Sequence, residues 1–324
     1  MWLMRHNLSM RSRVHPKYKT KYRASNWSDY DRALVLRGDV TLWISDDAIT
    51  SWKPAPTGRR GAQRKFSDHA IETALALRLV VNLPLRQAEG FLRSVLSLMA
   101  LDLEAPDHTT LSRRGQHLNI QFARVSTKNP INLIVDSTGL SIVGEGEWAA
   151  AKYGGRGRRG WKKLHLGVDR SGVIFAEVLT DGDVNDAKTA LDLIDEVKCD
   201  IRSITAEPAY DTLAIYDAAA ARRIEVVVPP SKSATRSRQR RSRSCARDRT
   251  IVRVKEVGRR HWKKESGYHQ QARVENTFFR YKTIVGPRLR ARHPGSQETE
   301  AIIACNILNR MTALGRPESF AIGA

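Results

Sequence analysis

The chain has 324 residues, of which 41% are hydrophobic and seven are tryptophan. This composition favours one large packed core or two domains and excludes a disordered protein. The formal net charge of +21 and the pI of about 10.3 are typical of a protein that binds a polyanion, most often nucleic acid. A ribosome-like basic protein or a membrane-surface binder is the alternative that charge alone leaves open. No apolar stretch reaches the roughly 18 residues of a membrane-spanning helix, so no membrane partner is expected.

Cysteine usage and the N-terminus both indicate the cell interior. Cys199, Cys245 and Cys305 are far apart, and no CxxC motif or Cys/His cluster occurs. Neither a disulfide framework nor a structural zinc site is therefore expected. The first residues contain arginines but lack an apolar stretch followed by a cleavage site, so we expect a cytoplasmic protein without a signal peptide.

The positive charge is concentrated in two segments. Residues 1–66 form a basic arm, and residues 231–264 contain fourteen lysines and arginines against two acidic residues, a net charge of +12. The part from 236 to 244, which includes Arg240 and Arg241, has no apolar residue. We predict a basic insertion loop over 231–264 that contacts DNA phosphates.

Residues 67–128 are predicted to be helical. Ser67 and Asp68 cap a first amphipathic helix, Pro84 begins a second that runs to Met99, and a third follows the turn at Asp107. Helix, turn and helix, with basic residues on the last helix, is how a major-groove reader is built. We predict a helix-turn-helix-like DNA-binding region with Arg113 and Arg114 as contacts. A helical bundle whose basic face is only solvated is the alternative.

Residues 129–315 change to alternating strands and helices. A β-branched run, Ile131–Val135, ends at Asp136, and a turn at residues 170–172 joins two strands into a hairpin. The remaining strands are predicted over 201–206 and 224–228, and the helices over 186–197, 212–222, 272–281 and 297–314. This order predicts an α/β domain with a mixed sheet flanked by helices.

Three acidic residues lie where such a sheet would bring them together. Asp136 ends the first strand, Glu207 follows the strand over 201–206, and Glu275 lies on the helix over 272–281. Open sheets bind ligands beyond the carboxyl ends of their strands. Carboxylate oxygens are ligands for Mg²⁺, and two such ions support phosphoryl transfer. The alternative is structural: the Asp caps a turn and the Glu makes a surface ion pair.

Six segments of the chain carry a family resemblance. They are Ile134-Val135-Asp136-Ser137-Thr138-Gly139, Trp161-Lys162-Lys163-Leu164-His165, Ala206-Glu207-Pro208-Ala209-Tyr210-Asp211-Thr212, residues 268–282 with Arg273-Val274-Glu275-Asn276, residues 21–27 and residues 85–92. Together they resemble the DDE transposases of bacterial insertion sequences, and most closely the group called insertion-sequence family five. The likeness covers roughly residues 17–320.

The resemblance implies a fold, an activity and a metal. The fold is an RNase H-like catalytic domain, and the activity is DNA strand cleavage and strand transfer at the terminal inverted repeats of the element. Asp136, Glu207 and Glu275 are implied to be the catalytic acids and to hold two Mg²⁺ ions, for which Mn²⁺ can substitute. The implied partners are double-stranded DNA and a second copy in a homodimeric synaptic complex, at the bacterial nucleoid.

The last segment matches the family's Tyr-Arg-Glu-Lys signature at Tyr268, Glu275 and Lys282. Steps of seven residues return near the same side of a helix, so Tyr268 and Lys282 are predicted to position DNA beside Glu275. The signature's Arg falls at Gln271, which is a departure, and Arg273 is the nearest basic substitute.

The middle acid is a second departure. The family has Asp in an Asp-Gly-x-Tyr-Asp pattern, whereas this chain has Glu207 followed by Pro208 and reaches Asp211 four residues later. Glutamate keeps the charge but is one methylene longer, and misplacing a catalytic group by about 1 Å costs on the order of a hundredfold in rate. A DNA-binding protein without catalysis, either a regulator or a decayed transposase, is therefore the alternative function.

Overall fold

A six-stranded mixed sheet lies at the centre of the molecule. The computed structural model describes residues 22–56, 58, 61, 63–120, 122, 127, 129–144, 160–236 and 246–322. The sheet contains β2 (Ile131–Ile142), β3 (Trp161–Val168), β4 (Ile174–Asp181), β5 (Ile201–Ala206), β6 (Glu225–Val227) and β7 (Arg288–Leu289). Two short strands, β1 (Tyr22–Ala24) and β8 (Ser319–Ala321), form a separate antiparallel pair that joins the two ends of the described chain.

The first helices precede β2 in the chain, and the later ones alternate with the strands or follow them. They are α1 (Trp27–Leu36), α2 (Val40–Trp43), α3 (Asp46–Thr50), α4 (Asp68–Val80), α5 (Leu85–Leu98), α6 (His108–Arg114), α7 (Asp186–Glu196), α8 (Leu213–Ala221), α9 (Ala246–Val257), α10 (Arg259–Glu265), α11 (Ala272–Ile284) and α12 (Pro294–Leu314). The predicted starts of α4 and α6 are confirmed, because Ser67 and Asp107 accept hydrogen bonds from the first turns of these helices.

The sheet combines an antiparallel half and a parallel half. Its strands lie in the order β4-β3-β2-β5-β6, with β7 paired to the far end of β2. β2, β3 and β4 are antiparallel neighbours, whereas β5 runs parallel to β2 and β6 runs parallel to β5. The predicted hairpin and the predicted mixed sheet flanked by helices are confirmed.

Alternate residues of β2 enter two hydrophobic cores. Ile134 and Leu140 belong to the core that contains α4, α11 and α12, whereas Leu133 and Val135 belong to the core with α7 and α8. Since side chains alternate between the faces of a strand, Asp136 shares the face of Ile134 and Ser137 shares the face of Val135. The helices of residues 67–128 share the first core with the sheet, and a domain boundary at 128/129 stays a prediction.

β2 is longer than predicted, and Asp136 is not at its end. The parallel pairing with β5 stops at Val135, which pairs with Ala206. The antiparallel pairing with β3 continues to Ser141, and this second partner carries the strand on past Gly139. Asp136 therefore lies where the parallel pairing with β5 ends, whereas β2 itself continues beyond it through its pairing with β3.

Both basic segments are more ordered than predicted. Helices α1 to α3 occupy residues 27–50 of the predicted arm, with Trp43 and Trp52 buried in the first core. In the segment 231–264 the expectation of a loop is wrong from residue 246 onward, because α9 and α10 pack through Ile251 and Trp262. Arg240 and Arg241 lie outside the described residues. Within the described chain, no helix is long and apolar enough to cross a membrane.

Candidate active site

Strand register places the first two acids side by side. Val135 pairs with Ala206 across β2 and β5, so Asp136 and Glu207 are the next residues of two adjacent parallel strands. Asp136 is half-buried, and its Oδ1 accepts the Ser137 backbone N–H at 2.8 Å. Glu207 is exposed and precedes the 3-10 turn Pro208–Tyr210. The predicted position of Glu207, just past the strand, is confirmed.

Glu275 faces these two acids from the helix above the sheet. It lies in the first turn of α11, which packs on the Ile134 face of the sheet through Val274 and Phe278. Burial raises the pKa of Asp136 to about 6, and repulsion from Glu207, Glu275 and Asp186 adds to that rise. The carboxylates are thus close enough to repel one another, and a cation would relieve this repulsion.

Tyr268 also belongs to the site, but it is not on the helix of Glu275. It begins a 3-10 turn, Tyr268–Gln271, and α11 starts only at Ala272, so the prediction of one continuous helix is wrong. Burial raises the pKa of Tyr268 to about 12, with further increases from Glu207, Asp136 and Glu275. The phenol therefore lies beside the carboxylates. Lys263 Nζ lies 4.6 Å from the centre of its ring.

Gln271 has a structural role where the family has Arg. Its side chain is buried, and its Nε2 donates to the Val135 carbonyl at 3.3 Å. Gln271 thereby connects the base of α11 to the strand that carries Asp136. A neutral amide suits this buried position better than a guanidinium, whose charge would lose its hydration. Sequence reasoning treated Gln271 only as a missing basic group.

Sequence reasoning missed three residues beneath Asp136. Lys163 Nζ donates to Asp186 Oδ1 and to the Val184 carbonyl, both at 2.8 Å. Ser137 Oγ donates to Asp186 Oδ2 at 3.1 Å, while the Ser137 backbone holds Asp136. Lys163, Asp186 and Ser137 thus form a polar chain that ends at the first catalytic candidate. The Asn185-Asp186 pair at a helix start was a signal for it, since Asn185 caps α7.

The donor set suits a hard cation, although it is not a preformed cluster. Among the described residues, no three His, Cys, Asp or Glu side chains are close enough to hold a metal ion as they lie. The three candidates nevertheless offer only carboxylate oxygens, which Mg²⁺ and Mn²⁺ prefer. The raised pKa of Asp136 reflects an excess of negative charge that a divalent ion would neutralise. The residues therefore fit such an ion by chemistry and by charge.

The other predicted DNA contacts lie at different places. Lys282 is half-exposed on α11, seven residues after Glu275. Arg273 lines a cleft on another side of α11, so it does not replace the signature's Arg beside the acids. Arg113 is exposed at the end of α6. Arg114 already pairs with Asp68 and donates to the Phe66 carbonyl, which makes it part of the helical packing.

Two family models match the chain, and both are described as "Transposase DDE domain". One matches residues 128–310, more than half of the chain and all three acids, and the other matches residues 35–145. A solved structure described as "Cryo-EM structure of piggyBac transposase synaptic complex with hairpin DNA" is also similar, at 11% identity and a TM-score of 0.40. That similarity covers 85% of this chain and 75% of that one.

Proposed function

The chain belongs to the transposase DDE domain family, and we propose that it cuts DNA at the terminal inverted repeats of an insertion sequence and transfers the resulting 3′ ends to target DNA. Membership in the family implies phosphoryl transfer that depends on a divalent metal. The insertion-sequence family five group, bacterial origin and a cytoplasmic location at the nucleoid are the finer parts of the proposal. They rest on the motif resemblance.

The observation that carries the proposal is the pairing of Val135 with Ala206. It makes Asp136 and Glu207 neighbours at the point on β2 where the parallel pairing with β5 ends and the antiparallel pairing with β3 continues. Glu275 approaches the same face from α11. Three antiparallel strands followed by two parallel ones, with helices on both faces, support an RNase H-like description of this sheet.

Asp136, Glu207 and Glu275 would hold the metal, which we propose to be a pair of Mg²⁺ ions. When bound, such ions activate the attacking oxygen and stabilise the leaving oxygen of a phosphodiester. The chain's own residues orient the acids. The Ser137 N–H fixes Asp136, and Gln271 ties the base of α11 to the β2 backbone. Half-burial of Asp136 also excludes part of the surrounding water, which strengthens its interaction with a cation.

We propose DNA contacts on both sides of these acids. Tyr268 and Lys282 flank Glu275 in the chain and would position the phosphate or a base. Arg113 and Arg114 would act in an N-terminal helical DNA-binding region, in which Arg113, unlike Arg114, makes no ion pair with the residues that the structure describes. Arg240 and Arg241, in the basic segment, would contact backbone phosphates. Binding that depends on such contacts falls steeply as salt rises. A homodimer would hold the two ends of the element.

A cleavage assay tests the catalytic proposal. Purified protein is incubated with Mg²⁺ or Mn²⁺ and a duplex that carries an end of the element, and strand nicks are resolved on denaturing gels. We expect nicking by the wild type, none by Asp136→Asn, and faster nicking by Glu207→Asp because the shorter acid restores the family's geometry. Asp192→Asn, an exposed acid on α7, is the matched control and should cleave like the wild type.

The rival function is end binding without catalysis. Glu207 in place of Asp favours it, because the extra methylene moves the carboxylate relative to Asp136. If the wild type and Glu207→Asp both bind the end duplex while neither cleaves it with either metal, the protein is a regulator or a decayed transposase. Matched inverted repeats in the DNA around the reading frame would favour the active element.

A further inference from the structure

Five arginines from separate parts of the chain line one cleft. Its volume is about 510 Å³, and we call it the arginine cleft. The five come from the end of α1, the β3–β4 turn, α11 and the segment after α12, and they are Arg37, Arg170, Arg273, Arg280 and Arg316. Among the residues that the structure describes, no acidic side chain lines it. A surface that only had to be soluble would intersperse both signs of charge.

The two inner guanidiniums are held in place by neutral groups. Arg280 Nη2 donates to Thr312 Oγ1 at 2.9 Å, and Arg37 Nη2 donates to the Gly315 carbonyl at 2.9 Å. Burial lowers the pKa of Arg280, and repulsion from Arg37 lowers it further. Both charges are thus positioned, and no carboxylate of the described residues pairs with either of them in the cleft. Binding an anion there would offset their repulsion and their lost hydration.

The outer guanidiniums are free to bind a ligand. Arg170 and Arg273 are exposed and make no side-chain hydrogen bond or ion pair within the described part of the chain. Asp169, the acid next to Arg170 in sequence, is engaged by the turn itself, because its Oδ1 accepts hydrogen bonds from the N–H groups of Ser171 and Val173. An arginine fork binds phosphate oxygens in a bidentate manner.

The number and origin of the charges favour a sugar–phosphate chain over a small anion. Five guanidiniums from four segments of the chain line a cleft of about 510 Å³, which is more charge and more space than one small anion needs. The Phe279 side chain, 70% exposed, adds an apolar surface to the same cleft. A duplex carries one negative charge per roughly 1.7 Å of its axis together with the apolar faces of its sugars.

We propose that the arginine cleft binds the backbone of duplex DNA away from the phosphate that is cut. On α11, Arg273 and Arg280 share one side, because seven residues complete about two turns, whereas Glu275 lies about 200° from Arg273. DNA in the cleft is therefore a different stretch from that at the carboxylates, and α11 links the two. This inference rests on the proposed action on DNA and adds a second contact surface to it.

Salt-dependent binding tests the cleft. The full chain is titrated by fluorescence anisotropy against a labelled 40-base-pair duplex at several NaCl concentrations, without divalent ions. The slope of log K against log salt is negative, and each lost phosphate contact reduces its magnitude by about 0.9. The double variant Arg170→Gln/Arg273→Gln should therefore reduce the magnitude by nearly two. The double variant Arg170→Lys/Arg273→Lys should keep most of the wild-type slope, because the charges remain.

The matched control removes two charges elsewhere. Arg202 and Arg223 are exposed near the amino ends of β5 and β6, at the edge of the sheet opposite Glu207. Arg202→Gln/Arg223→Gln should keep the wild-type slope, and thermal melting checks that both double variants are folded. If the cleft variant and this control have equal slopes, the arginine cleft does not bind DNA, although the protein still binds DNA elsewhere. A wild type that shows no salt-dependent binding would instead overturn the proposed function.

Discussion

Arg247 binds Asp211 in a bidentate ion pair, with Nε 2.7 Å from Oδ1 and Nη2 2.9 Å from Oδ2. The Asp211 side chain is 1% exposed, and its Oδ2 also accepts the Ser231 N–H at 3.1 Å. Asp211 is the only Asp near the position where the family has its middle acid, and both of its oxygens are occupied. We therefore keep Glu207 as the proposed middle acid, whereas Asp211 joins the basic segment to the sheet.

Asp211→Asn should destabilise the fold without weakening metal binding. The substitution leaves Arg247 largely buried and without its counter-charge, and breaking a buried pair costs about 3–5 kcal/mol. Urea denaturation measures the loss in the free energy of unfolding, with the exposed Asp192→Asn as control. A variant that unfolds like the wild type but binds Mn²⁺ more weakly would show that Asp211 is a ligand.

Ser137→Ala should slow cleavage about tenfold, because partners of metal ligands contribute roughly 10–100-fold to metal affinity or activity. The substitution removes the hydroxyl that connects Asp186 to the Asp136 backbone turn, whereas the Ser137 N–H stays in place. Nicking rates measured over a range of Mn²⁺ concentrations separate a change in metal affinity from a change in rate. Ser141→Ala on the same strand is the control, and an equal effect there would contradict a specific role for Ser137.

The elements of the fold could be predicted from sequence because their signals are local. Ser67 and Asp107 before apolar helices, and a β-branched run before Asp136, need no knowledge of the rest of the chain. The extension of β2 past Gly139 could not be predicted in this way, because it depends on pairing with β3. The excess of basic residues over acidic ones favours an arm and a loop for these two segments, yet the arm contains the buried Trp52 and the predicted loop contains the buried Trp262.

The candidate acids were found partly by spacing and mostly by motif. Which side chains meet depends on register, and only the pairing of Val135 with Ala206 makes Asp136 and Glu207 neighbours. The positions of Arg273 and Gln271 depend on where the 3-10 turn gives way to α11, and a one-residue change there rotates the helix by about 100°. The sequence pattern therefore could not predict on which side of α11 Arg273 lies or that Gln271 is buried.

Glu177→Gln should remove part of the pH dependence of stability. Burial raises the pKa of Glu177 from 4.5 to about 8, with repulsion from Glu196 and Glu298 adding to it. Between these values the folded state holds a proton that the unfolded state has lost, so stability falls as pH rises, by at most ~1.4 kcal/mol per pH unit. In urea denaturation, the free energy of unfolding of the variant should rise relative to that of the wild type as the pH increases from 5 to 8. A constant difference between them would contradict a neutral Glu177.

Divalent-metal binding tests the set of three acids most directly. Mn²⁺ is titrated into the protein in the presence of duplex DNA, and bound ion is followed by electron paramagnetic resonance. We predict that Asp136→Asn weakens binding at least tenfold, that Glu275→Gln also weakens it, and that Asp211→Asn leaves it unchanged. Wild-type affinity in Asp136→Asn, with the fold intact, would contradict the assignment of Asp136, Glu207 and Glu275 as the metal site.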